Sequence, residues 1–279
     1  MEKYSVLMPL YYKEKPEFLR KSIESMVQQT VKPDDFVIVE DGPLTDELYE
    51  VLNEYERKYD FIHRIVQKEN LGCGASLNNG LRSCKNELIA RMDSDDISLP
   101  NRCEKQLEMF EKYPELGVVG TAMYEFSSDE NNPKYIKFMP ETPEEVYKYG
   151  KRRIPFSHPT VMYRKSVVYD KHNGYCEERG MDDSDLFPRL MYSGVLGRNI
   201  NEPLLKYRSN EEQYRRRINL KDSLAVIRYS YRNYKMKYTG LIDLAYVVVL
   251  NLGACLLPIK LRMFLFKKMT RKNANFYKK

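Results

Sequence analysis

Glu87-Leu88-Ile89-Ala90-Arg91-Met92-Asp93-Ser94-Asp95-Asp96 is a short apolar run that ends in three carboxylates within four residues. Such a run reads as a buried strand, and Pro100 just downstream favours the start of a new helix. The strand therefore delivers Asp93, Asp95 and Asp96 to one edge of a sheet. Like charges packed this tightly are costly to ionise unless a cation neutralises them. A hard divalent cation held by carboxylate oxygens, with phosphates completing its shell, meets that need. Taken alone, the stretch also reads as a solvated acidic turn, and the surrounding chain decides between the two.

Upstream, apolar runs alternate with helical spacing. Tyr4–Tyr12 reads as a first strand, and Glu17–Gln29 as a helix with Phe18, Leu19, Ile23, Met26 and Val27 on one face. Phe36–Val39 is a second strand, closed by the turn Glu40-Asp41-Gly42-Pro43. A helix over 45–59, a strand over 62–66 and a helix from Leu71 to Leu81 follow. This alternation with short connections predicts an α/β fold, a mostly parallel sheet flanked by helices. Ligands of such sheets bind beyond the C-terminal strand ends, where Tyr11, Asp41 and Asp93 fall. Downstream, a helix over 102–113, a strand over 116–120, a hairpin tip at 129–133, a helix over 141–151 and a strand or its entry over 157–164 are expected.

Gly180-Met181-Asp182-Asp183-Ser184-Asp185 opens a second helical pattern with three more carboxylates. Acids at a helix N-terminus are favoured by the macrodipole and serve as caps. The chemical reading is that one of them removes a proton from a nucleophile while the first cluster holds a metal.

The charge is divided along the chain. From Lys206 onward there are 18 Lys and Arg against 4 acids, while the preceding 205 residues carry a net −8. An acidic body with a basic tail points to an anionic partner for the tail. The five cysteines are scattered with no C-x-x-C, which excludes a disulfide framework and a zinc motif and predicts a reducing compartment. The start of the chain, running straight into a strand, predicts no signal peptide.

With both clusters placed, the chain resembles the family 2 (GT-A fold) glycosyltransferases, particularly bacterial enzymes of capsular, exopolysaccharide or O-antigen synthesis. The matching pieces run in order: Val6–Tyr11, Ile38–Gly42, Asn70–Gly72 with Leu77–Gly80, Met92–Asp96, Ser157–Arg164 and Asp182–Leu186. The resemblance implies a nucleotide-sugar-binding and catalytic domain over 1–210, built on a GT-A (Rossmann-like) sheet. It implies that Pro9 and Tyr11 line the nucleotide pocket, that Asp41 meets uracil, and that Asp93 lies near the ribose. Asp95 would coordinate Mn²⁺ or Mg²⁺ on the donor diphosphate, and Asp183 would deprotonate the acceptor hydroxyl in an inverting transfer. His158, Arg164, Asp182 and Arg208 fall at family positions on the acceptor or diphosphate side. The chain departs from the family where Asp-Asp-Gly-Ser becomes Glu40-Asp41-Gly42-Pro43, and where Glu-Asp becomes Asp182-Asp183.

Residues 211–279 read as a basic helical extension. Arg215-Arg216-Arg217 precedes apolar residues at helical spacing, and Leu244–Ile259 is a charge-free stretch of 16 residues. That is short for a span of about 20, and cations flank both sides, so lying in the membrane interface fits better. The expectation is a peripheral enzyme on the cytoplasmic face, moving a sugar from a UDP-sugar to a glycan on a polyprenyl diphosphate. No nucleic-acid motif accompanies the charge. A sugar-phosphate nucleotidyltransferase is discounted because no glycine follows the first strand. A basic-tailed adaptor without catalysis is the non-enzymatic alternative.

Overall fold

The computed structural model describes residues 1–209, 220–258, 261–262, 268 and 270–274. The N-terminal half alternates as expected: β1 (Tyr4–Leu10), α1 (Pro16–Val27), β2 (Asp35–Glu40), α2 (Asp46–Lys58), β3 (Ile62–Val66), α3 (Cys73–Ser83) and β4 (Leu88–Arg91). β3, β2, β1 and β4 lie side by side and parallel. β1 shows why its sequence is apolar without a break. Val6, Met8 and Leu10 pack with α1, α2 and the later α4 (Arg102–Lys112) on one face. Leu7, pointing the other way, packs with α3.

Beyond β4 the parallel arrangement gives way to a mixed sheet. β5 (Ile97–Ser98), β6 (Leu116–Phe126), β7 (Tyr135–Lys137), β8 (Met162–Arg164) and β9 (Leu196–Arg208) complete the body of the sheet. β8 is antiparallel to both β4 and β6, and β6 and β7 form the expected hairpin. α5 (Pro143–Gly150) carries a capping box between Thr142 and Glu145, and α6 (Asp182–Tyr192) begins at the second acidic cluster.

β9 was not foreseen from sequence. It runs 13 residues parallel to β6 with three register shifts, the irregularity that bends a long strand around a sheet edge. Its far end also pairs antiparallel with β5, Ile97 opposite Lys206. That register carries Arg208 back beside Asp95.

The tail contributes α7 (Leu220–Lys235), α8 (Leu241–Cys255) and β10 (Lys272–Asn273). Tyr238, between the two helices, is buried and donates to the Tyr147 carbonyl at 3.2 Å, while Arg152 pairs with Asp243 at 2.6 Å. β10 adds to the free edge of β7, where Arg271 pairs with the buried Glu125. The Arg215–Arg217 run lies outside the described residues.

Gly74, in the first turn of α3, lets the helix approach the segment that leads into α6. A Cβ there would stand 2.1 Å from the Cys176 carbonyl oxygen, a backbone atom with little room to yield. Gly74→Ala is expected to cost about 1–3 kcal/mol in urea unfolding, the usual penalty of overpacking. An unchanged midpoint would mean that this approach is loose.

Candidate active site

The first acidic cluster sits at the end of β4, as the sequence predicts. Oxygens of Asp93, Asp95 and Asp96 lie within 4.8 Å of one another. Burial is the first cause that pushes the Asp95 carboxyl up to about 7, with Asp93 and Glu14 adding repulsion. Asp96, fully buried, is pushed well above the usual carboxylate range by burial and by Asp95. Its Oδ1 accepts the Arg208 backbone N–H at 2.8 Å, and its Oδ2 is buried without a hydrogen-bond partner. A hard-oxygen donor set with an orphaned acceptor and raised carboxyl groups fits Mg²⁺ or Mn²⁺.

Arg208 is the cation set against this cluster. Its Nε donates to the Asp95 carbonyl at 3.0 Å, and its guanidinium lies 3.7 Å from the Phe18 ring centroid and 4.6 Å from that of Phe126. Thus clamped, it is a fixture of the acid cluster rather than a free contact for an acceptor.

Asp93 is tied to β4 by Arg91, whose Nη2 stands 2.5 Å from Asp93 Oδ1. The buried Arg91 also reaches the second cluster. The Cys73 thiol sits against both Arg91 and Asp182, so Arg91 and Cys73 form a floor between the two sets of acids. Burial raises the Asp182 carboxyl, Asp183 adds to the rise, and Arg91 opposes it. Asp183, in the first turn of α6, is half-buried and accepts from Ser184 at 3.3 Å. The third acid, Asp185, is structural: it is buried and paired with Arg189 at 2.6 Å and with Arg232.

The other expected residues divide. Pro9 is half-buried in β1 and Tyr11 is exposed just past its end, beside the acid-bearing edge. Asp41 is engaged by its own chain. Its Oδ1 accepts from the N–H groups of Leu71 and Gly72, and its Oδ2 from Gly72 and the Asn70 side chain, at 2.7–3.1 Å. Three donors in four contacts let Asp41 fix the loop entering α3.

His158 is buried beside Tyr175, with Nε2 3.2 Å from the phenol oxygen, and the Phe187 ring stands 6.0 Å away. Burial, and then the Arg91 charge, hold its pKa well below the ordinary value, so it is neutral. Arg164 lies opposite Leu88, at the far end of β4 from Asp93, and donates to the Leu116 and Pro114 carbonyls. Neither side chain reaches the crevice as placed.

Sequence reasoning missed Glu14 and the Arg91–Cys73 floor. Glu14 accepts from Ser94 at 2.6 Å, and burial is the main cause raising its carboxyl. Nothing in Lys13-Glu14-Lys15 marks that contact. Arg91 did carry a signal, as a lone charge at the end of an apolar strand.

The glycosyl transferase family 2 model matches residues 5–171. The chain belongs to that family. It is 33% identical over 270 residues to the UDP-Gal:alpha-D-GlcNAc-diphosphoundecaprenol beta-1,3-galactosyltransferase of Escherichia coli, covering 97% of each chain. It is also 33% identical over 265 residues to the amylovoran biosynthesis glycosyltransferase AmsE of Erwinia amylovora, covering 95% of this chain and 98% of that one. Among solved structures, S. aureus TarS 1-349 in complex with UDP-GlcNAc superposes with a TM-score of 0.64 at 16% identity, over 83% of this chain and 66% of that one. The chain spans 39% of the longer S. aureus TarS chain. A Pyrobaculum calidifontis mannosyltransferase in complex with GDP-Man and Mn²⁺ gives 0.60 at 14% identity, over 96% of this chain and 80% of that one. The fold is therefore GT-A and the protein is a glycosyltransferase, which sets aside the adaptor reading.

The raised Asp95 carboxyl sets a pH dependence. A carboxyl whose folded pKa lies above its unfolded value near 4 binds protons more tightly in the native state. Its contribution is therefore present at low pH and lost as pH rises from about 4 to about 7, by at most about 4 kcal/mol. Without divalent cation, thermal melting is expected to show this loss, and Mn²⁺ is expected to raise the midpoint more at pH 8 than at pH 5.5. Asp95→Asn is expected to stabilise the metal-free protein at pH 8 and remove the Mn²⁺ response. A Mn²⁺ shift independent of pH would exclude Asp95 as a ligand.

Proposed function

We propose that this glycosyltransferase moves a sugar, with inversion, from a UDP-sugar to a hydroxyl of a lipid-diphosphate-linked acceptor at a membrane surface. The observation that carries the reading is the shared floor. Arg91 and Cys73 bring the carboxylates at the end of β4 and those at the start of α6 to one crevice. The E. coli relative named for a UDP-Gal donor and a diphosphoundecaprenol acceptor supports the same substrate classes. So does the UDP-GlcNAc complex of S. aureus TarS, on likeness of fold.

In this reading Asp93 and Asp95, with Asp96 beneath, hold the cation, and Arg208 offsets their charge. Bound there, Mn²⁺ or Mg²⁺ supplies Lewis-acid stabilisation of the departing diphosphate. Pro9 and Tyr11 border the nucleotide, and Asp41 keeps the Asn70–Gly72 loop beside it. Asp183 accepts the proton of the acceptor hydroxyl as the oxygen attacks the anomeric carbon from the face opposite the diphosphate. The new bond joins that carbon to the acceptor oxygen. The broken bond leaves its electron pair on the UDP phosphate, which needs no proton. Beside the base, Asp182 has its carboxyl raised by burial and by Asp183, with Arg91 opposing the rise.

The tail supplies the membrane contact. Along α8, Ile242, Tyr246 and Val249 follow helical spacing and are solvent-exposed, as is Leu256 just past its end, with Ile242 at 78% and Leu256 at 86%. No helix among the described residues is long and apolar enough to cross a membrane. An exposed apolar stripe in a basic tail suits the interface of an anionic leaflet.

Titration with UDP in Mn²⁺, Mg²⁺ or chelator is expected to give binding that requires the metal and is lost in Asp95→Ala. Asp183→Asn should keep that binding while transfer falls about a hundred- to ten-thousand-fold. Metal-independent UDP binding, or full turnover by Asp183→Asn, contradicts these assignments. Replacing Ile242, Val249 and Leu256 together by Asp is expected to release the protein from phosphatidylglycerol vesicles in a flotation assay. Undiminished flotation would place the membrane contact elsewhere.

A further inference from the structure

Among the described residues, Arg91, Arg164 and Arg208 each hold contacts within the protein, with Asp93, with the Leu116 and Pro114 carbonyls, and with the Asp95 carbonyl. A cavity of about 370 Å³ lies beside the start of α6. It is lined by Glu178, Arg228, Tyr229, Tyr231, Arg232 and Lys235, three cations to one acid.

Three contacts hold this cavity against the segment that carries the base. Arg232 pairs with Asp185, the Tyr229 hydroxyl donates to Glu178 at 2.7 Å, and Cys176 Sγ lies 4.0 Å from that hydroxyl. Asp182 and Asp183 fall between Glu178 and Asp185 in the chain. Asp183 is only about 3 Å along the helix axis from Asp185. Within the cavity the cations differ. Arg232 is spoken for by a buried carboxylate, whereas Arg228 is 63% exposed along its side chain, paired with Glu178 and placed 5.7 Å from the centre of the Tyr229 ring. The Lys235 ammonium stands over the Tyr231 ring, 5.6 Å from its centre. Glu178 thus occupies the place of an exchangeable anion.

We propose that this cavity binds the diphosphate of a lipid-linked acceptor. The ligand rests on the glycosyltransferase reading above, while the site rests on its own geometry. Arg228 takes two phosphate oxygens through its planar fork, displacing Glu178, and Lys235 adds a point charge. The tyrosine hydroxyls offer further donors. The adjoining helix α8 presents its exposed apolar stripe to the surface in which the lipid lies. A diphosphate at this point lies beside the segment Glu178–Asp185, from which Asp183 projects on another face of α6.

The test is titration with farnesyl diphosphate in detergent micelles, alongside farnesol and inorganic pyrophosphate, on wild type and Arg228→Ala/Lys235→Ala. Both substituted residues are on the surface, and thermal melting checks that the variant is folded. Wild type is expected to bind farnesyl diphosphate at least tenfold more tightly than the double variant does. Farnesol should bind weakly and equally to both, and excess UDP with Mn²⁺ should leave the diphosphate bound. Inorganic pyrophosphate should share the dependence on the two residues, more weakly.

Equal affinity in wild type and variant overturns the proposal. So does displacement by UDP, which would put the probe in the donor site. Equal competition by phosphatidylglycerol vesicles also overturns it, since the cations then serve a general anionic surface. Failure of wild type to bind UDP would count against the donor assignment alone.

Discussion

A guanidinium held between two phenyl rings and set against buried carboxylates is the constraint on which the catalytic edge depends. Without Arg208, Asp95 and Asp96 would face Asp93 and Glu14 in a low-dielectric setting with Arg91 as the cation still acting on the cluster. The cation comes from residue 208, more than a hundred positions away, and reaches its place only because β9 bends along β6 and then pairs with β5. Phe18, near the start of α1, and Phe126, at the end of β6, supply the walls. The acid cluster is thus where the parallel and antiparallel parts of the sheet are tied together. Part of its charge is left uncompensated, with Asp96 Oδ2 buried and without a hydrogen-bond partner. The same incompleteness costs the free protein stability, a familiar exchange at functional sites.

Much of this was legible in the sequence. The period-2 and period-3.6 patterns located the strands and helices from β1 to α4, because strands buried on both faces must be continuously apolar. The carboxylates at the end of β4 and at the start of α6 were visible as clusters, and their partnership was suggested by family likeness. What could not be read was the second use of each residue. Asp41 looks like any acid at a strand end, and only the fold brings the Asn70–Gly72 N–H groups to it. Arg164 follows the expected motif, yet the antiparallel direction of β8 sends it to the opposite end of β4. Glu14 and Cys73 owe their places to long-range packing that leaves no local trace, and β9 was hidden by its polar residues and bulges.

The tail adds to the body instead of trailing from it. Tyr238 lies against α5, Arg152 holds Asp243, and Arg232 reaches Asp185 in the first turn of α6. α7 is thereby packed on α6, the helix that begins with the second acidic cluster, and α8 packs in turn on α7. The tail helices and the second cluster are thus joined through α7.

The backbone N–H of Arg208 that caps Asp96 belongs to the last residue of β9, and the chain leaves the sheet at Ser209. The end of β9 is therefore stitched to the acid cluster and to β6 at once, because the Asp96 carboxylate and the Asp95 carbonyl hold Arg208 while the Phe126 carbonyl accepts from the Ser209 N–H. The seam that closes the sheet and the seam that gathers the acids are one and the same stretch of chain.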